Sequence, residues 1–436
     1  MRSHRWHRIL RGLDGALILS AGMIVAVGEF SRRRKMPDRI LTSHAGSLPR
    51  PDSLISLNEL RAAGEFTDEE AYRAELSSAV TDVVAHQHEI GIDLVNDGEY
   101  GHSMGQRYDY GPWWTYVFQR LSGLELSQLD IGAIAQAKAR PGQITLASFG
   151  ERRDWQRFAE AYGDPSSGAA LPNRAAVAPV CRGPVSYQGQ DAVQRDIADL
   201  KAALAAAGLT DGFLNSVAPG SCARFGNEYY ADDEEQLQAC ADAMREEYTA
   251  IIESGLGLQL DDPAIAENWD QINPAPTVEE YRRFTRLRIE ALNHAIRGLP
   301  AERIRFHLCW GSWHGPHTTD IPMADIVDLM LEVNAGAYSF EAANVRHEHE
   351  WKVWRDVKLP DGKVILPGVV SHSTNVVEHP ELVAERIIRF AEGVGRENVV
   401  ASTDCGLGGR VHPQIAWAKL DTLARGAQLA TEQLWG

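Results

Sequence analysis

After residue 36 the chain alternates short apolar runs with longer segments of helical periodicity, and this alternation limits the folds open to it. The apolar runs fall at 39–46 (RILTSHAG), 91–101 (GIDLVNDGEYG), 175–187 (AAVAPVCRGPVSY) and 256–263 (LGLQLDDP). Four more fall at 304–310 (IRFHLCW), 337–344 (AYSFEAAN), 364–372 (VILPGVVSH) and 398–406 (NVVASTDCG). Between them lie helical patterns such as Thr67–Ile90, 233–255, 281–297, 325–334, 380–395 and about 413–431. Eight strands, most of them followed by a helix, predict an α/β fold: a single (β/α)₈ TIM barrel over 36–436. A ninth apolar run at 211–219 is assigned to an insertion between strands 3 and 4. The aromatic, irregular stretch 100–175 is expected to cap one barrel end, with YDYGPWW as a lid or plain cover.

Charge narrows the partners. Lys and Arg number 43 against 60 Asp and Glu, a formal net charge of −17 that repels nucleic-acid phosphates and anionic membrane surfaces. Five scattered cysteines, an odd number, do not form a disulfide framework and point to reduced thiols in a cytoplasmic protein. Residues 1–35 differ from the rest: a basic start, then the apolar run Ala16–Gly28. They read either as a signal-like leader or as translation upstream of a true start at Met36.

In a (β/α)₈ barrel the chemistry sits where strands run into loops at one face. The exits here carry His44 and Ser47, Asp97 and Glu99, Arg182, Asp261 and Asp262, His307 and Cys309, Glu341, His372, and Asp404 and Cys405. Side chains at i and i+2 of a strand share a face, so His307 and Cys309 point the same way. With Glu341 from the next strand and Cys405 from the last, two thiols, an imidazole and a carboxylate converge on one mouth. That donor set suits one catalytic Zn²⁺.

In sequence and order, AGSLPRP, VNDGEYG, CRGPVSY, QLDDPA, HLCWG, SFEAAN and STDCGL resemble the cobalamin-independent methionine synthase superfamily, specifically its catalytic C-terminal barrel. NEYY (227–230), HGPHTTDIP (314–322) and RHEHEWKVW (346–354) are similar to its short single-barrel branch, which includes methionine synthase II-like proteins and epoxyalkane:coenzyme M transferases. The resemblance implies zinc on His307, Cys309, Glu341 and Cys405. It implies that Glu99 and Asp261 hold an amino-acid acceptor, and that Gly46 and Ser47 contact its carboxylate. The synthases carry D-I-H-S after the seventh strand where this chain has VSHSTN, so His372, with His44 behind it, is the candidate acid for the leaving group.

The activity so implied is zinc-dependent S-alkylation of a small thiol. Methyl transfer to homocysteine from a methyltetrahydrofolate-type donor is favoured, because acidic Glu99 and Asp261 suit an ammonium. A sulfonate thiol such as coenzyme M, alkylated by an epoxide, would instead draw on Arg50 or Arg182. A non-catalytic zinc barrel is the third reading, and the acidic pocket argues against it.

Overall fold

The computed structural model describes residues 38–102, 104, 112–128, 144–146, 149–169 and 177–436. The leader at 1–35 and the Tyr108–Gly111 part of the expected lid lie outside these residues.

Among the described residues, eleven strands form two sheets. Eight belong to a curled sheet whose described pairings are all parallel: β1 (Leu41–Thr42), β2 (Val95–Asn96), β5 (Gly212–Val217), β7 (Gly257–Asp261), β8 (Ile304–Leu308), β9 (Ala337–Phe340), β10 (Val364–Val370) and β11 (Val400–Thr403). Their spatial order is β1-β11-β10-β9-β8-β7-β5-β2, the sequence order of a barrel read round the ring. The two end strands meet where the Asp93 and Leu94 amides both donate to the Thr42 carbonyl, at 3.2 and 3.0 Å. Strands β5 and β8 are buried at every residue, as strands covered on both faces must be.

Helices separate the strands, and their ends are set by local chemistry. Asp68 and Asp232 accept backbone N–H groups at the starts of Glu69–Glu89 and Asp233–Glu253. Thr277 and Glu280 form a capping box at the start of Val278–Ala295. No helix among the described residues is long and apolar enough to cross a membrane.

One strand assignment is corrected. The third barrel strand is β5, at the run given above to an insertion, and it pairs with β2 and β7. The run expected in that place forms β4 (Val177–Cys181), which joins β3 (Leu124–Gln128) and β6 (Gly226–Asn227) in a separate small sheet. The extra chain therefore lies chiefly between strands two and three of the barrel, not between three and four. Both runs are short, apolar and followed by a helix, so periodicity alone does not say which sheet each joins. A buried ion cluster ties this extra chain down: Arg120 pairs with Asp196 at 2.5 Å and with Glu247 at 3.1 Å.

Candidate metal and thiol site

Strand register sets the site. Asp261, at the end of β7, lies beside His307 on β8, and His307 lies beside Ser339 on β9. The Ser339 hydroxyl is 3.0 Å from His307 Nδ1 and fixes the ring. His307 Nε2 is buried and has no hydrogen-bond partner among the described residues. Ligand atoms of His307, Cys309 and Cys405 lie within 4.8 Å of one another. An orphaned imidazole nitrogen facing two thiols is the donor chemistry of a soft-metal site, so these residues fit zinc. Hydrogen bonding between the thiols holds Cys405 well below the usual thiol range and pushes Cys309 well above it. The pair titrates as a unit.

Glu341 belongs to the neighbouring group. Its ligand atom clusters with those of His372 and Asp404, all three buried. Its carboxyl accepts from the Trp310 amide at 2.8 Å, from Asn344 Nδ2 at 2.7 Å and from Arg346 at 2.6 Å. Burial pushes it up to about 7 against the pull of Arg346. Asp404 accepts the Ala342 and Ala343 amides, both at 2.7 Å, and so shapes the turn that carries Glu341. Beyond them His347 stacks on Trp310 with ring centroids 3.9 Å apart, and Asp320 accepts from both His347 and His317 at 3.1 Å. The histidines of this loop hold the wall in place.

A cavity of about 290 Å³ opens over the thiols, and Ser47, Glu99, His102, Asp261, Trp313 and Arg410 contribute to its wall. Asp261 accepts from Asn215 at 3.0 Å and from Gln259 at 2.8 Å, and burial pushes it up to about 7. Gly46 sits at φ 130°, and a Cβ there would overlap Glu99 Oε1 and Asn215 Nδ2. Only glycine lets the loop pass this close to Glu99 and Asn215.

The remaining candidates fall elsewhere. Arg50 is buried and donates to the backbone carbonyls of Glu99 and His102, so it braces the β2 loop and does not face the cavity. Arg182 lies on the small sheet, paired with Glu228 at 2.9 Å and Glu125 at 3.3 Å. It is not brought to the mouth, because its strand is not a barrel strand. His44 has both ring nitrogens engaged, with Gln87 at 2.8 Å and the Gly46 amide at 3.2 Å, and burial lowers it to about 4. His372 is buried with neither ring nitrogen hydrogen-bonded among the described residues, and burial, reinforced by Arg346, lowers it well below the imidazole range. Neither histidine lines the cavity. His102, Trp313 and Arg410 do, and the sequence reading passed over them. The available signal was spacing: His102 follows Glu99 by three residues, and Arg410 follows Cys405 by five.

Asp97 stands behind Glu99, whose amide donates to Asp97 Oδ1 at 2.9 Å. Burial, with Asp196 nearby, raises its carboxyl from 3.8 to about 7. Between those values the folded protein holds a proton that the unfolded chain has lost, so stability falls as pH rises. Asp97→Asn keeps the oxygen acceptor and is expected to remove that fall, on the order of 1.4 kcal/mol per pH unit within the window. Urea midpoints at about pH 4.5 and about pH 7.5 check this; an unchanged difference between them counts against it.

Residues 170–428 match the family described as the catalytic domain of cobalamin-independent synthase. A methionine synthase of Thermococcus kodakarensis is 24% identical over 399 residues, covering 90% of this chain and 94% of that protein. The 2-hydroxypropyl-CoM lyase of Xanthobacter autotrophicus is 22% identical over 427 residues, covering 91% and 96%. The B12-independent methionine synthase from Shewanella sp. W3-18-1, solved in complex with selenomethionine, shares the fold with a TM-score of 0.65 at 21% identity, covering 91% of this chain and 99% of that one.

Proposed function

Because the chain belongs to the cobalamin-independent synthase catalytic-domain family, we propose that it is a zinc-dependent thiol S-methyltransferase that makes methionine from homocysteine. The observation that carries this reading is the convergence of His307, Cys309 and Cys405 in the lining of a cavity that Glu99 and Asp261 also line. His307, Cys309 and Cys405 would hold the ion, with Glu341 from the adjoining group as the fourth donor. Zinc, when bound, favours the thiolate form of a thiol whose ordinary pKa is near ~8.5.

The chain's own residues do the rest. Glu99 and Asp261 attract the acceptor's ammonium, and Ser47 lines the same cavity, with Gly46 packed against Glu99. The acceptor sulfur forms the new S–C bond as the bond from the methyl carbon to the donor nitrogen breaks. The electron pair stays on that nitrogen, which then takes up a proton. His102 is the cavity imidazole placed to deliver it, with Glu99 Oε2 3.7 Å from its Nδ1. A methyltetrahydrofolate-type donor fits the family. His372 lies beside Glu341 and Asp404, outside the cavity lining, which favours His102 over it as the acid. The free cysteines suit a reducing compartment such as the cytoplasm.

A second reading, epoxide alkylation of a sulfonate thiol, draws support from the full-length similarity to the 2-hydroxypropyl-CoM lyase. The paired acids oppose it. Metal analysis with calorimetric titration of homocysteine and coenzyme M separates the two. One zinc per chain and binding of homocysteine alone are expected, and removal of zinc by a chelator should leave the far-ultraviolet circular dichroism intact. Binding of coenzyme M alone would replace the first reading with the second. A protein without zinc would sink both.

A further inference from the structure

The cavity lining holds acids, yet among the described residues it includes a single guanidinium, Arg410, and no lysine. Glu267 also reaches the lining, but it is already paired with Arg152 and Arg224. Among the described residues, the other two acids of the lining, Glu99 and Asp261, make no salt bridge to an arginine, although buried Arg50 and Arg305 act on them electrostatically.

Arg410 is held in place by two loops. Its Nε donates to Ser312 Oγ at 2.7 Å, three residues beyond Cys309. Its own loop, which starts at Cys405, is pinned to the first-strand loop because Leu407 and Gly408 N–H groups both donate to the Ser47 carbonyl, at 2.8 and 2.9 Å. Glycines make this approach possible: a Cβ on Gly406 would lie 2.8 Å from Ser47 Cβ, and one on Gly408 would overlap the Leu48 carbonyl. A guanidinium braced from both metal-ligand loops, on a segment bonded to Ser47, is a built feature of the mouth.

The geometry points to Arg410 as the residue that reads the acceptor's acid group, completing with Glu99 and Asp261 a cavity selective for a thiol bearing both a carboxylate and an ammonium. The inference rests on the thiol-acceptor reading above. A guanidinium presents a planar fork of N–H donors that matches a two-oxygen anion, which an ammonium does not. Neither Arg50 nor Arg182 is placed to do this.

The test is calorimetric binding to zinc-loaded wild type, Arg410→Gln and Arg410→Lys, with two probes. One is L-homocysteine; the other is 3-aminopropane-1-thiol, the same molecule without its carboxylate. Wild type should prefer homocysteine by roughly tenfold to a hundredfold, the worth of one charge-assisted hydrogen-bond pair. Arg410→Gln should lose that preference while binding 3-aminopropane-1-thiol as wild type does, and Arg410→Lys should keep part of it. Equal weakening of both probes would show that Arg410 acts through the thiols and would overturn the inference. An unchanged preference in both variants would overturn it as well. If wild type binds neither thiol, the acceptor reading itself falls and takes this one with it.

Discussion

Cys405→Ser is expected to lose bound zinc and at least about a thousandfold in turnover while keeping the wild-type circular dichroism spectrum. The sulfur it removes belongs to the group in which ligand atoms of His307 and the two thiols lie within 4.8 Å of one another. A hydroxyl there is a poor substitute, because zinc favours thiolate and a serine does not ionise at neutral pH. The fold should survive, since the hydrophobic core and the parallel ladder do not depend on the metal. Ser339→Ala is the useful contrast. It leaves every donor in place and removes only the hydroxyl that orients His307, so the loss in zinc affinity should stay near the roughly 10–100-fold seen for such outer partners. Competition with a chelating indicator ranks the two. Equal zinc affinity in wild type and Cys405→Ser would rule out the assigned ligand set.

The barrel and the cluster of His307, Cys309 and Cys405 were legible for the same reason. A parallel strand is buried on both faces and so reads as an apolar run, and residues at its exit stand out because they break that run. IRFHLCW shows this: five buried strand residues from Ile304 to Leu308, with histidine and cysteine two apart at the end. What sequence could not supply was sheet membership and side-chain direction. The run at Val177–Cys181 looks like a barrel strand and is not one, and Arg182 left the mouth with it. Arg50 and His44 stand beside the right loop but spend their polar atoms on backbone and on Gln87. Arg410 was hidden for the opposite reason. It lies in a glycine-rich loop with no periodicity, and only the contact of that loop with Ser47 shows where it is carried.

Glu99→Gln is expected to weaken homocysteine binding by about a hundredfold and to leave zinc content unchanged. The carboxylate lines the cavity beside Asp261, and an ammonium placed between them gains from both charges in a site shielded from water. The amide keeps the shape and removes one charge. The backbone supplies an independent check. Glu99 sits at φ 60°, a conformation unfavourable for a side chain with a Cβ, and it is held there from two sides. Its amide donates to Asp97, and its carbonyl accepts from Arg50. Such strain, on the order of 1–2 kcal/mol, persists where the side chain is needed and glycine would otherwise serve better. Glu99→Gly should therefore be as stable as wild type, or up to about 1 kcal/mol more stable, while losing homocysteine binding as fully as Glu99→Gln. Stability and binding would then move apart at one position, the pattern of a residue kept for its ligand. A Glu99→Gly protein that binds homocysteine normally would remove Glu99 from the acceptor site, and a destabilised one would make it a structural residue.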